Sequence, residues 1–335
     1  MAMAYERDQI GQKQEIANIV TNIVSEQTPM TSRIKKEPQP KQKLMEYQVE
    51  TYPDVALSGV MDGQDVEQFE STPREMLHAV QQKFRQPWQV SDFSDVTEVA
   101  GLPKGERGRQ RAVALTLLAF ALEGRLLSNA ESSYDNGADA PNETRGAFKW
   151  LQTAAQTHLP VPENFRPSAT IFSGALDTLT EDQCEELISA AWEDRRTSTA
   201  FFGVVGRKLK KHFDSWSVYT ADKASHTQVR QFNNEQASKK VINCVDFLEF
   251  STGTVQLHLS AYLYLDEATG AKTDFTTRSG MFLDMSKWAL RYMRKPRMRD
   301  LEDRGGGPRG FSDTIGGLCC LNPLGQPAMH ISADS

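Results

Sequence analysis

Cysteine is scarce and unpatterned in this 335-residue sequence. Cys184, Cys244, Cys319 and Cys320 make no CxxC pair and no Cys/His zinc spacing, so they read as buried reduced thiols. Long apolar runs are missing as well. No stretch reaches the roughly 18 residues that a spanning helix needs, and a mean hydropathy of -0.52 excludes a membrane protein. Met1 to Gln9 is polar and carries Glu6 and Asp8, which fits neither a secretory signal nor a transit peptide and predicts a cytosolic origin. A basic excess is absent too: the net charge of -6 argues against the chain as a whole being a nucleic-acid clamp.

Catalytic signatures are lacking. In Gly203 to Lys208 the glycines stand too close for a Walker loop, and neither Ser nor Thr follows the lysine. There is no HExxH, no GxSxG elbow and no dinucleotide fingerprint. The six histidines form no i, i+4 pair, so a metal site would have to be assembled by tertiary folding alone. The expectation is a protein that is not an enzyme, without cofactor or metal.

What is present begins with an amphipathic stripe, Ile16, Ile19, Val20, Ile23 and Val24, which predicts a helix over Asp8 to Ser25 ending at Thr28-Pro29. Lys35 to Lys43, with Pro38 and Pro40, reads as a stiff basic linker. Two extended stretches follow. Leu44 to Val55 alternates Tyr47 and Val49 with Glu46, Gln48 and Glu50, and Leu77 to Val99 does so through Phe84, Trp88, Val90, Phe93 and Val96, with Pro87 marking a sheet edge. Between them Ser58 to Thr72 is rich in Gly, Asp, Glu and Gln and reads as a mobile tip. An isolated ribbon is marginal in water. About fifteen extended residues reach on the order of 50 Å, against a radius of gyration of about 20 Å for a compact chain of this length. The ribbon is therefore expected to lie on a neighbouring subunit, the alternative being a fold back onto its own body.

A long helix is predicted from Glu106 to Asn129, with Leu115, Leu118, Leu122 and Leu126 along one face; at 1.5 Å per residue it spans about 36 Å and forms the spine of the fold. Arg107, Arg109 and Arg111 crowd its start, where positive charge opposes the helix dipole. They read either as a solvated end or as partners for acidic residues of an adjacent subunit. Thr180 and Gln183 form a capping box before a helix with Cys184, Leu187, Ile188, Ala191 and Trp192 inward. Ala200 to Val205 reads as a buried strand, Gly206 to Phe213 as a basic helix, and Val255 to Leu265 as a strand with alternating leucines, which together make a mixed α+β lobe. The tail holds a basic run, Arg291, Arg294, Lys295, Arg297 and Arg299. It is read as pairing with Asp62, Asp65, Glu67 and Glu70 of a neighbour; stacking of Trp288 and Tyr292 on nucleic-acid bases is the rival reading.

Several short motifs occur in a familiar order: Thr28-Pro29-Met30 through Ile34, Glu46-Tyr47-Gln48-Val49-Glu50, Val90-Ser91, Val96-Thr97, Leu122-Glu123 to Leu127-Ser128, Arg145-Gly146, Trp150-Leu151, Gly206 to Lys210, Phe282-Leu283-Asp284, Trp288 and Tyr292. In that order the chain resembles the major capsid proteins of tailed bacteriophages, in particular the SU-ten-type branch. The resemblance implies an α+β capsid fold with an N-terminal arm at 1–43, an extended β-hairpin loop at 44–103, a peripheral domain with the spine helix at 104–197, an axial domain at 198–280 and returning peripheral strands at 281–335. It further implies a virion protein, assembled in the host bacterial cytoplasm, that forms pentamers and hexamers of an icosahedral shell around double-stranded DNA. Its partners would be a separate scaffolding protein, since the arm helix starts within ten residues of Met1 and leaves no room for a fused one, together with a portal, with a place for a decoration protein. Two rivals stand beside this reading: the shell of a cellular nanocompartment loaded with enzyme, and a monomeric nucleic-acid-binding protein using Arg291 to Arg304. The residues expected at subunit interfaces are Ile16, Val20 and Ile23 of the arm, Tyr47, Phe84 and Trp88 of the ribbon, the acidic tip, the three arginines of the helix start, and Arg294, Arg297 and Arg299.

Overall fold

The structure, a computed structural model, describes residues 28–37, 41–50, 59, 61–63, 65, 74–97, 105–138, 140–152, 156–167, 170–195, 199–216, 246–263 and 278–331. The predicted arm helix, with Ile16, Val20 and Ile23, lies outside these residues, as do Glu67, Glu70 and Cys244.

Pro29 opens a short helix instead of only closing one. α1 (Pro29–Arg33) carries the proline at its first turn, where no amide donor is needed. The expected basic linker then begins as a strand, β1 (Lys35–Glu37), which pairs in parallel with the long strand β10 (Trp288–Leu301), Lys35 opposite Ala289. The ribbon is real but shorter than its pattern suggested: β2 (Leu44–Val49) and β3 (Glu75–Val80) are antiparallel, with Leu44 opposite Val80 and Val49 opposite Glu75. The second extended stretch is not one strand. After β3 the chain enters β4 (Gln82–Gln89) and then α2 (Asp92–Val96), because Ser91 accepts the Ser94 amide and starts a helical turn. Pro87 does sit at an edge, since the four-stranded sheet runs β1-β10-β11-β4, with β11 spanning Arg309–Cys320.

The spine helix α3 (Gly105–Leu126) begins within a residue of its predicted start and ends three residues before the predicted Asn129. Leu118, Leu122 and Leu126 are buried, but Leu115 is 42% exposed and Ala114 takes the inward position. The reason is local: Trp88 packs on Ala114 and the Ser312 hydroxyl donates to the Ala114 carbonyl at 3.0 Å, so the sheet closes on the small residue.

The chain forms two compact units. Among the described residues one comprises 85–97, 105–118 and 296–313, and the other the remainder. In the second unit α4 (Ala147–Trp150), β5 (Ile171–Phe172) and α5 (Glu181–Arg195) precede β6 (Thr199–Val205), α6 (Arg207–Trp216), β7 (Phe247–Glu249), β8 (Gly253–Leu259), β9 (Gly280–Leu283) and β12 (Ala328–Met329). Its six-stranded sheet has the order β5-β12-β9-β6-β8-β7, with β6 and β8 parallel and β9 antiparallel to β6. The capping box forms as read: the Thr180 and Gln183 side chains each accept the other's amide, at 3.3 and 3.2 Å. Cys184, Ile188 and Ala191 of α5 then join Leu209 and Phe213 of α6, Val255 and Leu257 of β8 and Phe282 of β9 in one apolar core. The alternation of leucines expected to run to Leu265 stops at Leu259, where the Ser260 hydroxyl accepts the Tyr262 amide and turns the chain.

Candidate subunit-interface surfaces

The helix start carries the first group of expected interface residues, and its charges have partners inside the chain. Arg107 and Arg111 reach the two oxygens of Asp300 at 3.3 and 3.7 Å, and Arg109 reaches Glu106 one turn away at 2.9 Å. Arg111 also donates to the Met298 sulfur at 2.8 Å and stands 5.8 Å from the Trp88 ring centre. A cation at a helix N-terminus is unfavourable, and the sequence compensates with Glu106 on the helix and Asp300 on β10. Of the two readings left open, a solvated end or a neighbour's acids, neither named these intrachain acids, Glu106 and Asp300.

Trp88 and Phe84 were expected to cover a neighbour, yet they are 6% and 7% exposed in the isolated chain. Trp88, Val90, Ala114 and Met298 form the small core of the first unit. Tyr47 is likewise engaged at home: its hydroxyl donates to the Cys320 carbonyl at 2.6 Å, and burial, with the nearby Cys319 and Cys320, pushes its pKa well up. The period-2 pattern was right for these residues, but it does not say whether the covered face meets its own chain or another.

Strand alternation sorts the first unit's sheet into two faces. Trp88 and Ser312 point toward α3, which places Arg85 on β4, Arg309 and Phe311 on β11 and Arg297 and Arg299 on β10 on the opposite face. The Arg85 guanidinium lies 4.4 Å from the Phe311 ring centre. Arg297 donates to Asp313 at 3.1 Å, Arg309 donates to the Glu302 carbonyl at 2.9 Å, and Arg299 is exposed. Four arginines thus share a face with Asp313. Sequence reasoning found Arg297 and Arg299 in the basic run and missed Arg85 and Arg309, whose signal was their place in strands whose partners the sequence does not reveal. Two members of that run do other work. Arg291 pairs with Glu37 at 2.7 Å, where burial raises the carboxyl pKa but the bonds from Arg291 and Lys35 win and lower it. Arg294 is half-buried, in the second unit.

Of the acidic tip, Asp62 and Asp65 are described and exposed, with Gly63 between them at φ +79° and Met61 81% exposed. Between residues 51 and 73 the sequence carries Asp54, Asp62, Asp65, Glu67 and Glu70 and no lysine or arginine. In the second unit Glu123, on the flank of the apolar stripe of the spine helix, is fully buried and accepts the amides of Met30 and Thr31. Its functional weight was not legible from the sequence.

Among the described residues no cluster of three or more His, Cys, Asp or Glu is placed to hold a metal, and no helix is long and apolar enough to cross a membrane. Cys184, Cys319 and Cys320 are buried free thiols, with Cys184 and Cys319 each pushed up to about 12 by desolvation.

Comparison with known proteins places this geometry. The capsid structure of cyanophage P-SCSP1u superposes with a TM-score of 0.60 at 12% identity, covering 96% of this chain and 93% of that one. The cyanophage A-1(L) capsid asymmetric unit gives 0.66 at 12% identity, covering 96% and 98%. The capsid of a native GTA particle gives 0.61 at 8% identity, covering 96% of each chain. These likenesses show the phage capsid fold. No curated protein matches the sequence significantly. The family profile described as SU10 major capsid protein matches residues 4–325, and the chain therefore belongs to the SU10 major capsid protein family.

Proposed function

We propose that this chain is the repeating unit of an icosahedral bacteriophage shell, built from pentamers and hexamers, that encloses double-stranded DNA. The observation that carries the reading is a charge match within one polypeptide. Segment 51–73 holds five acids and no base, and the sheet face of the first unit turned away from α3 holds Arg85, Arg297, Arg299 and Arg309, with Asp313 paired to Arg297. A loop so acidic has no attraction to DNA, whereas on a second copy it meets a cationic face of the right sign. Each exposed ion pair contributes only about 0 to 1 kcal/mol, so cohesion comes from many small contacts with apolar burial added, for which Met61, Phe93, Val96 and Leu301 are exposed. The assembly partners consistent with this reading are a separate scaffolding protein and a portal, with decoration proteins on the finished shell.

The test is deletion of Gly59 to Glu70. The expected product is a folded, soluble subunit that forms no closed shells when co-expressed with the scaffolding protein. Shells of normal size and yield from the deletion would refute the role given to the loop.

A further inference from the structure

Residues 28–37 run along the second unit as a strap with several fastenings. At its C-terminal end β1 pairs with β10 and Glu37 with Arg291. In its middle Arg33 donates to Gln256 at 2.8 Å and lies 4.8 Å from the Phe202 ring centre, while Met30 and Ile34 are buried. At its N-terminal end the fastening is one side chain from a distant element. Glu123 Oε1 accepts the Met30 amide at 2.8 Å, and Oε2 accepts the Thr31 amide at 2.7 Å together with the Thr31 hydroxyl.

Those amides belong to the first turn of α1, where a helix leaves donors open and a local cap residue normally accepts them. Thr28 stands at the cap position and makes no side-chain cap bond. Glu123 does that work from the spine helix instead, with its carboxylate at the positive end of α1. A five-residue helix has no stability of its own, so its orientation is set by what holds it. A glutamate with no exposed surface, on the flank of the stripe of Leu118, Leu122 and Leu126, is a costly residue to keep unless it holds something. Burial raises its pKa while the bonds from Thr31 and Met30 pull it back, as for a carboxylate held by donors without a cation.

We propose that Glu123 is the positioning residue of this strap: by capping α1 from the spine helix it fixes the orientation of α1 and the path of residues 28–37 along the second unit. Resting on the shell reading above, the consequence is that every subunit presents the strap in the same position to a neighbouring copy. Preorganisation of this kind lowers the ordering cost of each contact.

The experiment uses the full chain as wild type, Glu123→Ala, Glu123→Gln and Thr31→Val, the last leaving the spine helix untouched. Hydrogen exchange of the soluble subunit is expected to quicken at residues 28–37 by about tenfold or more in Glu123→Ala and by a smaller factor in Thr31→Val, with β6 and β9 unchanged. Glu123→Gln, which keeps one acceptor oxygen, is expected to restore part of the protection. Co-expression with the scaffolding protein is then expected to give fewer closed shells from the variants, including Thr31→Val at unchanged Tm. Unchanged exchange at 28–37, or equal acceleration across the whole chain, overturns the clasp. Normal shell yield from a subunit whose strap is released overturns its role in assembly. A wild type that forms no shells overturns the shell reading and with it the assembly half of this proposal, while the exchange data still decide the clasp.

Discussion

Reversing two charges on the sheet face turned away from α3 is the sharpest perturbation of the proposed contact. Arg85 and Arg299 are both exposed, and neither has an acidic partner in the chain among the described residues, so Arg85→Glu with Arg299→Glu costs the isolated subunit little. What the subunit loses is the contact of Arg85 with the Phe311 ring, about 0.5 to 1 kcal/mol. In an assembled pair the same change removes two attractions of up to about 1 kcal/mol each and adds two repulsions of similar size. The total is up to about 4 kcal/mol per contact, at most roughly 1,000-fold in its association constant. Because the charges are exposed, the effect shrinks as salt rises and the screening length falls below about 8 Å. The assay is shell yield by electron microscopy and light scattering across a salt series, with Tm of the subunit measured in parallel. Loss of shells at low salt with a Tm lowered by only a little is expected, as is partial recovery when Asp62→Lys and Glu67→Lys are added to the same chain. Wild-type yield at low salt from the arginine reversal refutes the charge-match argument, and so does a failure of the loop reversal to restore any assembly.

Other perturbations test the fold and the placement of single groups. Trp88→Ala empties the small core shared with Val90, Ala114 and Met298 and is expected to cost about 3 to 5 kcal/mol by urea unfolding, whereas Phe93→Ser, at 90% exposure, should leave the midpoint in place. Tyr47→Phe removes the bond to the Cys320 carbonyl and should cost about 1 kcal/mol. Glu123 has a native pKa raised above its ordinary 4.5, so its contribution is fully present below that value and is lost as pH rises through the native pKa. Unfolding free energy of wild type relative to Glu123→Gln should therefore decline across that window, and a flat difference contradicts the shift. Cys184 and Cys319, held up near 12, should resist alkylation in the native protein and react on unfolding, read by mass spectrometry.

Periodicity made the regular elements legible. The spine helix, the α5 stripe beginning at Thr180 and the β2–β3 ribbon were all visible because apolar spacing and caps are local properties. What the sequence withheld was pairing. The stretch from Leu77 to Val99 alternates well enough for one strand, and only the serine cap at Ser91 marks the point where it becomes α2. Lys35 to Glu37 looks like linker because a three-residue strand has no pattern of its own and exists through β10. At the proposed interface the same limit applied. Arg107, Arg109 and Arg111 looked unpartnered because Asp300 is 193 residues from Arg107, and Trp88 looked available because burial by one's own chain and by a neighbour select the same side chains. Arg85 and Arg309 went unremarked, and Glu123 was noted only inside a short motif, since their meaning comes from tertiary neighbours.

The central claim is that this polypeptide leaves surface uncovered that only further copies of itself cover. Electron microscopy of the purified protein, expressed alone and with the proposed scaffolding protein, tests this most directly. Closed, uniform shells are the predicted result; a preparation consisting solely of 37.5 kDa single chains contradicts the account.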